Sequence, residues 1–282
     1  DGPMSMVNDS QPTTIAPFDK IAPVYNRDFS ETSLGRSLRA ATWDYLRKAF
    51  SPGDRVLDMG CGTGVDACML ARRGTLVTAI DQSQAMLDVT GRLAELEGVA
   101  DSVLTRKIDM SDWSAEDLAD VSPELLDRAF DGAYSNFGAL NCVENLDQVS
   151  AILASIMRTG SRAVFVVMGP VCLWEIFWHL LHAKPRAALR RFRVGGLAHA
   201  GDGESVQVWY PSPFRLSRSF ERDFRRIELS SLGSFLPPTY LADLVDRRPA
   251  LFKKLAWLEE RTRRLPFLPY LSDHYVVVLE RK

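Results

Sequence analysis

The segment Val56-Leu57-Asp58-Met59-Gly60-Cys61-Gly62-Thr63-Gly64 constrains this chain more than any other. A short apolar run ends in an acid, three glycines follow at alternate positions, and the polar start of a helix comes next. This order predicts a strand, a tight turn and a helix N-terminus with outward-facing N–H groups. Glycine lacks a Cβ and tolerates positive φ, so a bulky ligand can approach the backbone at such a turn. The dinucleotide fingerprint G-x-G-x-x-G is not met, because its third glycine would fall at Val65. The pattern present is D-x-G-x-G-x-G, led by Asp58.

Seven strands are expected along the chain: 55–58, 76–80, 103–108, 130–135, 161–168, 224–229 and 274–280. Helical patterns lie between the first five. They cover 65–73, 84–97 behind Ser83 as N-cap, 113–126 with an interruption at Pro123, and 145–158. Alternation at this spacing argues for a parallel sheet covered on both faces, and the continuous apolar strands agree. The alternation breaks at Gly169-Pro170. Residues 171–210 read as an insertion after the fifth strand: an apolar helix over 171–183, a basic stretch, a glycine-rich stretch and strand-like 205–210. A second helical region is expected over 239–265.

The acids recur at strand ends. Asp81 closes the second strand, where a carboxylate can accept hydrogen bonds from two ribose hydroxyls. Its competing reading is a cap on the next helix. Asp109 and Met110 close the third strand. The constellation of Asp58, three glycines, Asp81 and Asp109 resembles the class I S-adenosylmethionine-dependent methyltransferases of the small-molecule type. The opening Phe18-Asp19-Lys20-Ile21-Ala22-Pro23-Val24-Tyr25 is similar to the F-D-x-I-A-x-x-Y segment of many such enzymes.

The resemblance implies an α/β fold, a Rossmann-like doubly wound seven-stranded sheet, mostly parallel with an antiparallel last strand. It implies S-adenosyl-L-methionine as cofactor, held by Tyr25, Asp58, Gly60, Cys61, Gly62, Gly64, Asp81, Gln82, Met86, Asp109, Met110, Asn136 and Phe137. In that comparison Asp109 accepts from the adenine amino group, Met110 offers its backbone N–H, Met86 packs on the adenine, and Tyr25 folds over the site. Ordinary core packing for Met86 and a surface tyrosine for Tyr25 are the alternatives. The Asn/Asp-Pro-Pro-aromatic sequence of many amino-methylating members is missing at Asn136-Phe137.

The reaction implied is in-line methyl transfer to a small, lipophilic metabolite, driven by positioning. If a hydroxyl is the acceptor, Tyr25, His179, His182 and His274 are candidate bases, with structural roles as the competing reading for each histidine. Alternatives are a nucleic-acid methyltransferase and a non-catalytic binding module. The net charge of −2 hides an asymmetry. From Val171 to Lys282 there are 19 Lys and Arg against 12 Asp and Glu, and before Val171 there are 15 against 24. A basic half is compatible with an anionic substrate, a membrane surface, nucleic acid or plain solvation. No RNA-binding motif accompanies it, which disfavours nucleic acid.

Residues 1–14 read as a disordered tail, 15–282 as one domain, 15–50 as a helical lid and 171–210 as an acceptor cap. Leu173, Trp174, Ile176, Phe177, Trp178, Leu180 and Leu181 are expected to roof the acceptor pocket. A dimer contact, a membrane-surface contact through 171–193 and ordinary packing are the other readings, so both a monomer and a homodimer are open. Cys61, Cys68, Cys142 and Cys172 lack paired spacing, which predicts reduced thiols, a cytoplasmic setting and no metal.

Overall fold

The computed structural model describes residues 18–121, 130–193, 195–199 and 205–282. The expected tail at 1–14 lies outside them. The described residues form nine strands: β1 Arg55–Met59, β2 Leu76–Asp81, β3 Val103–Lys107, β4 Phe130–Ser135, β5 Met157–Met168, β6 Gly196–His199, β7 Ser205–Val208, β8 Phe224–Leu232 and β9 His274–Arg281. Seven make one sheet in the order β3-β2-β1-β4-β5-β9-β8, and β6 and β7 pair as a separate antiparallel ribbon. The first five strands of the sheet are parallel, and β9 runs antiparallel between β5 and β8. The seven expected strands are the seven of this sheet.

Side chains alternate across the sheet into two cores. Leu57, Phe165, Val167, Tyr275 and Val277 face one layer of helices. Val56, Val164, Val166, Val276 and Val278 face the other. Burial on both faces explains why these strands carry apolar residues at successive positions rather than alternate ones. Helices Val65–Ala71, Gln84–Leu96 and Leu146–Ile156 follow β1, β2 and β4. Ser83 caps the second by accepting from Met86 N at 3.1 Å. Strand order reverses between β1 and β4, so the crevice for a ligand opens at the carboxyl ends of β1 to β4.

Local details differ from the sequence reading. In place of a helix over 113–126, the described residues hold a 3-10 helix at Glu116–Val121. Asp117 accepts from Ser114 N at 2.7 Å and from Ser114 Oγ at 3.1 Å, the reach-back bond of a helix start. Residues 122–126 lie outside the described residues. The helix expected to reach Arg158 stops at Ile156, because Met157 already pairs with Phe130 in the sheet. The strand β8 runs three residues further than expected, with polar Ser230 and Ser231 buried opposite Val276 and Tyr275.

Candidate active site

The turn after β1 is built by three left-handed glycines: Gly60 at φ +76°, Gly62 at +54° and Gly64 at +74°. At two of them space is also decisive. A Cβ on Gly60 would lie 2.3 Å from that of Ala139, and one on Gly64 would lie 2.5 Å from Thr90 Cγ2. At Gly62 the position is open on its outer side, with nothing within 4 Å. Gly60 N and Cys61 N both donate to Ile80 O at 2.9 Å, which ties the turn to β2.

Beside this turn lies a cavity of about 580 Å³. On one side its wall is polar: Gly60, Gly62, Asp81, Gln82, Asp109, Ser111 and Asn136. Met86, Ile108 and Met110 supply apolar contact there. On the other side lie Gly138, Ala139, Cys142, Val143, Met168 and the strand segment 206–209. Phe18, Ile21 and Tyr25 close the top.

Asp81 uses one oxygen to accept from Gly62 N and the other to accept from Ser83 N, both at 2.9 Å. The cap of the next helix is Ser83, and Asp81 fastens the glycine turn to the loop before it while lining the cavity. Burial pushes its carboxyl above the ordinary value, against the pull of those N–H groups. Asp109 Oδ1 accepts from Ser111 N at 2.9 Å and from Ser111 Oγ at 2.8 Å. Met86 is 2% exposed and still lines the cavity, so it serves core and pocket together.

Asp58, Cys61 and Gly64 do not line the cavity; they lie in and under the turn. Asp58 is buried and accepts from Tyr134 Oη at 2.7 Å, and burial drives its carboxyl well above the usual range. The cluster around Asp66 had no sequence signal. This buried acid pairs with Arg39 at 2.6 Å, and accepts from Trp43 Nε1 at 2.6 Å and Asn136 Nδ2 at 2.9 Å. Asn136 is thereby held with its Oδ1 buried and without a partner among the described residues. Arg39 also lies over the rings of Phe29 and Phe137, 5.4 and 5.1 Å from their centroids.

The N-terminal segment is fastened over the site at two points. Asp19 accepts from Ser83 Oγ and from Ala85 N at the start of the helix after β2. Asn26 Oδ1 accepts from Thr63 Oγ1 in the glycine turn at 2.6 Å. A five-residue π turn at Asn26–Ser30 follows Tyr25 and leads into helix Ser33–Ala49. Burial raises the Tyr25 hydroxyl above its ordinary value.

The expected roof is built differently. None of Leu173, Trp174, Ile176, Phe177, Trp178, Leu180 and Leu181 lines the cavity; Val206, Gln207, Val208 and Trp209 do. One buried side chain seats that strand. Asn141 Nδ2 donates to Trp209 O at 2.6 Å and Met168 O at 3.0 Å, and its Oδ1 accepts from Met168 N at 2.9 Å. Its backbone O accepts from Trp209 N at 2.7 Å. The three candidate histidines also lie off the cavity wall. His274 is 6% exposed and pairs through Nδ1 with Asp273 at 3.0 Å. His179 contacts Tyr240 Oη at 3.4 Å, and His182 turns back on Trp178 O at 2.8 Å.

These groups fit S-adenosylmethionine. Asp81 offers a carboxylate for paired hydroxyls, Gly62 leaves the turn bare, and Asn136 Oδ1 is a buried acceptor that lacks a donor. Residues 56–160 match a family model described as a methyltransferase domain. The chain is 32% identical over 155 residues to the 2-phytyl-1,4-naphtoquinone methyltransferase of Synechococcus elongatus, covering 54% of this chain and 61% of that protein. It thus spans about three fifths of that relative's length. It is 30% identical over 190 residues to the ubiquinone biosynthesis O-methyltransferase of Hahella chejuensis, covering 60% of this chain and 68% of the relative. Among solved structures, the geranyl diphosphate C-methyltransferase of Streptomyces coelicolor shares the fold, with a TM-score of 0.57 at 15% identity, covering 100% of this chain and 91% of that one. The chain belongs to the class I S-adenosylmethionine-dependent methyltransferases.

Proposed function

We propose that this protein transfers a methyl group from S-adenosylmethionine to a small lipophilic acceptor. One observation carries the reading: a single cavity joins a polar half at the ends of β1 to β3 to an apolar half bounded by β7. Two relatives are named as methylating quinone-type molecules, which supports a lipophilic acceptor.

When bound, the cofactor supplies an activated methyl group on a positively charged sulfur. The residues do the rest by holding and shielding. The Asp81 carboxylate accepts from the ribose hydroxyls. Asp109 and the Met110 N–H address the adenine edge, and Met86 packs against its face. The turn at Gly60–Gly64 gives close backbone approach, with Asp58 and Tyr134 fixing it from below. Asn136, oriented by Asp66, offers its free oxygen. Tyr25 and Phe18 cover the site and exclude water, so the acceptor is the nucleophile in reach.

Among the described residues, the acceptor half holds no group suited to removing a proton at neutral pH. Among the described lining residues, the titratable side chains are Tyr25, Asp81, Asp109 and Cys142. Burial pushes the Cys142 thiol up to about 12 and raises Tyr25, so both stay protonated. The two acids serve the cofactor. The acceptor therefore arrives already deprotonated, as an ionised hydroxyl, a carboxylate or an enolate-type carbon, and its methylation releases no proton.

Calorimetry with S-adenosylmethionine and its demethylated product tests the donor half. Turnover of a panel of prenylated hydroquinones tests the acceptor half. Failure of both cofactor forms to bind would sink the reading. Cofactor binding without turnover of any lipophilic acceptor would leave a binding module instead.

A further inference from the structure

One helix of this molecule buries its charge and exposes its apolar side. On Leu173–Leu181 the residues Leu173, Phe177, Leu180 and Leu181 share one face and are 50, 72, 54 and 70% exposed. The inner face carries Glu175, which is 1% exposed. The next segment folds against this helix and adds Leu189 and Phe192, 54 and 55% exposed. An exposed cluster of this size on one short stretch marks an interaction surface.

The patch is held rigidly and is linked to the cavity. Glu175 pairs with Arg190 and, at 2.7 Å, with Arg191, which also pairs with Asp273 at 2.5 Å. A buried pair of this kind fixes an arrangement more than it stabilises a fold. Asp273 adjoins His274, whose ring lies 6.0 Å from that of the cavity residue Phe137.

Charge identifies the occupant. Between Ile176 and Gly201 there is no acidic residue, while Lys184, Arg186, Arg190, Arg191 and Arg193 lie in the same stretch. Lys184, Arg186 and Arg193 are exposed beside the apolar face. A second copy docked here by two-fold symmetry would oppose these cations to their own duplicates. A surface that is apolar and negatively charged satisfies both features. We propose that residues 173–193 dock this protein on an anionic phospholipid bilayer, and that its acceptor is a lipid-soluble molecule taken from that membrane. The second part rests on the reading of the apolar half-cavity above; the docking does not.

The test uses the full chain and vesicles of phosphatidylcholine, with and without phosphatidylglycerol. The protein is expected to sediment with the anionic vesicles and much less with the neutral ones. Phe177→Asp with Leu181→Asp changes only exposed residues, and should lower the bound fraction at least about tenfold. Lys184→Glu with Arg186→Glu should do the same and remove the dependence on salt. Cofactor affinity by calorimetry should stay unchanged in both variants. If the unaltered protein ignores anionic vesicles, or if both double variants bind them as well as it does, the docking proposal is overturned. It is also overturned if light scattering shows that the Phe177 and Leu181 changes dissolve a dimer with no effect on vesicles. Loss of cofactor binding in the unaltered protein would instead strike the methyl-transfer reading alone.

Discussion

The two halves of the cavity are made by opposite strategies. The donor half is assembled from strand ends, and its two acids are held by main-chain N–H groups of the first two βα turns and the loop after β3: Asp81 by Gly62 and Ser83, Asp109 by Ser111. The acceptor half is assembled from distant segments, and Asn141 must bridge to Met168 and to Trp209 to hold it. Bonding to these turns makes the first half a fixed feature of the fold. Longer-range bonding makes the second half depend on one buried residue and one ribbon.

The sharpest way to break this comparison is Asp81→Ala. Two hydrogen bonds from hydroxyls to a charged group are worth roughly 3–6 kcal/mol together. Cofactor affinity by calorimetry should fall at least about a hundredfold, and urea unfolding should show a loss of about 1–3 kcal/mol from the stripped N–H groups of Gly62 and Ser83. A loss of affinity below about tenfold would mean that Asp81 chiefly fastens Gly62 to Ser83.

Next comes Asn141→Leu, which strips partners from Met168 N, Met168 O and Trp209 O. Urea unfolding should show a loss of about 2–4 kcal/mol. The milder Asn141→Asp should raise the acceptor KM with cofactor affinity unchanged. Equal damage to both would show that the halves are not independent.

A third test uses pH. Burial holds the Asp81 carboxyl above its ordinary value, and the bound ribose needs the ionised form. Cofactor affinity should therefore be constant at neutral pH and fall as pH drops through that raised value. The slope below it should approach about 1.4 kcal/mol per pH unit. Asp81→Asn should be weaker throughout and show no such slope, as read by calorimetry across the acid range.

The smallest effect is expected at Gly62→Ala. Its Cβ meets nothing within 4 Å, so only the left-handed φ of +54° opposes it. Thermal unfolding should report about 1–2 kcal/mol. Gly60→Ala, which must also displace Ala139, should cost more.

The sheet was readable before the fold because it is buried on both faces. Continuous apolar runs mark its strands, and the larger boundary errors came where polar residues interrupt them, over four residues at the start of β5 and three at the end of β8. The donor half was readable because a glycine turn and an acid at a strand end are local signals. Asp66, Arg39 and Trp43 were not readable, since an ion pair across 27 residues of chain has no local pattern. The apolar helix at Leu173–Leu181 misled for a related reason. Its composition called for cover, and composition does not say whether cover comes from the protein or from outside it.

The sequence by itself determined the strand order's raw material, the turn at Gly60–Gly64, and the acids at the strand ends that line the cavity, because each depends on residues adjacent in the chain. Tertiary structure alone decided what faces the acceptor. Asn141, Met168 and Trp209 meet only after the chain has returned to the end of β5, and the ribbon they seat displaced the apolar helix from the cavity wall. Hydrogen bonds between residues far apart in sequence, closing in a water-excluded place, made that choice.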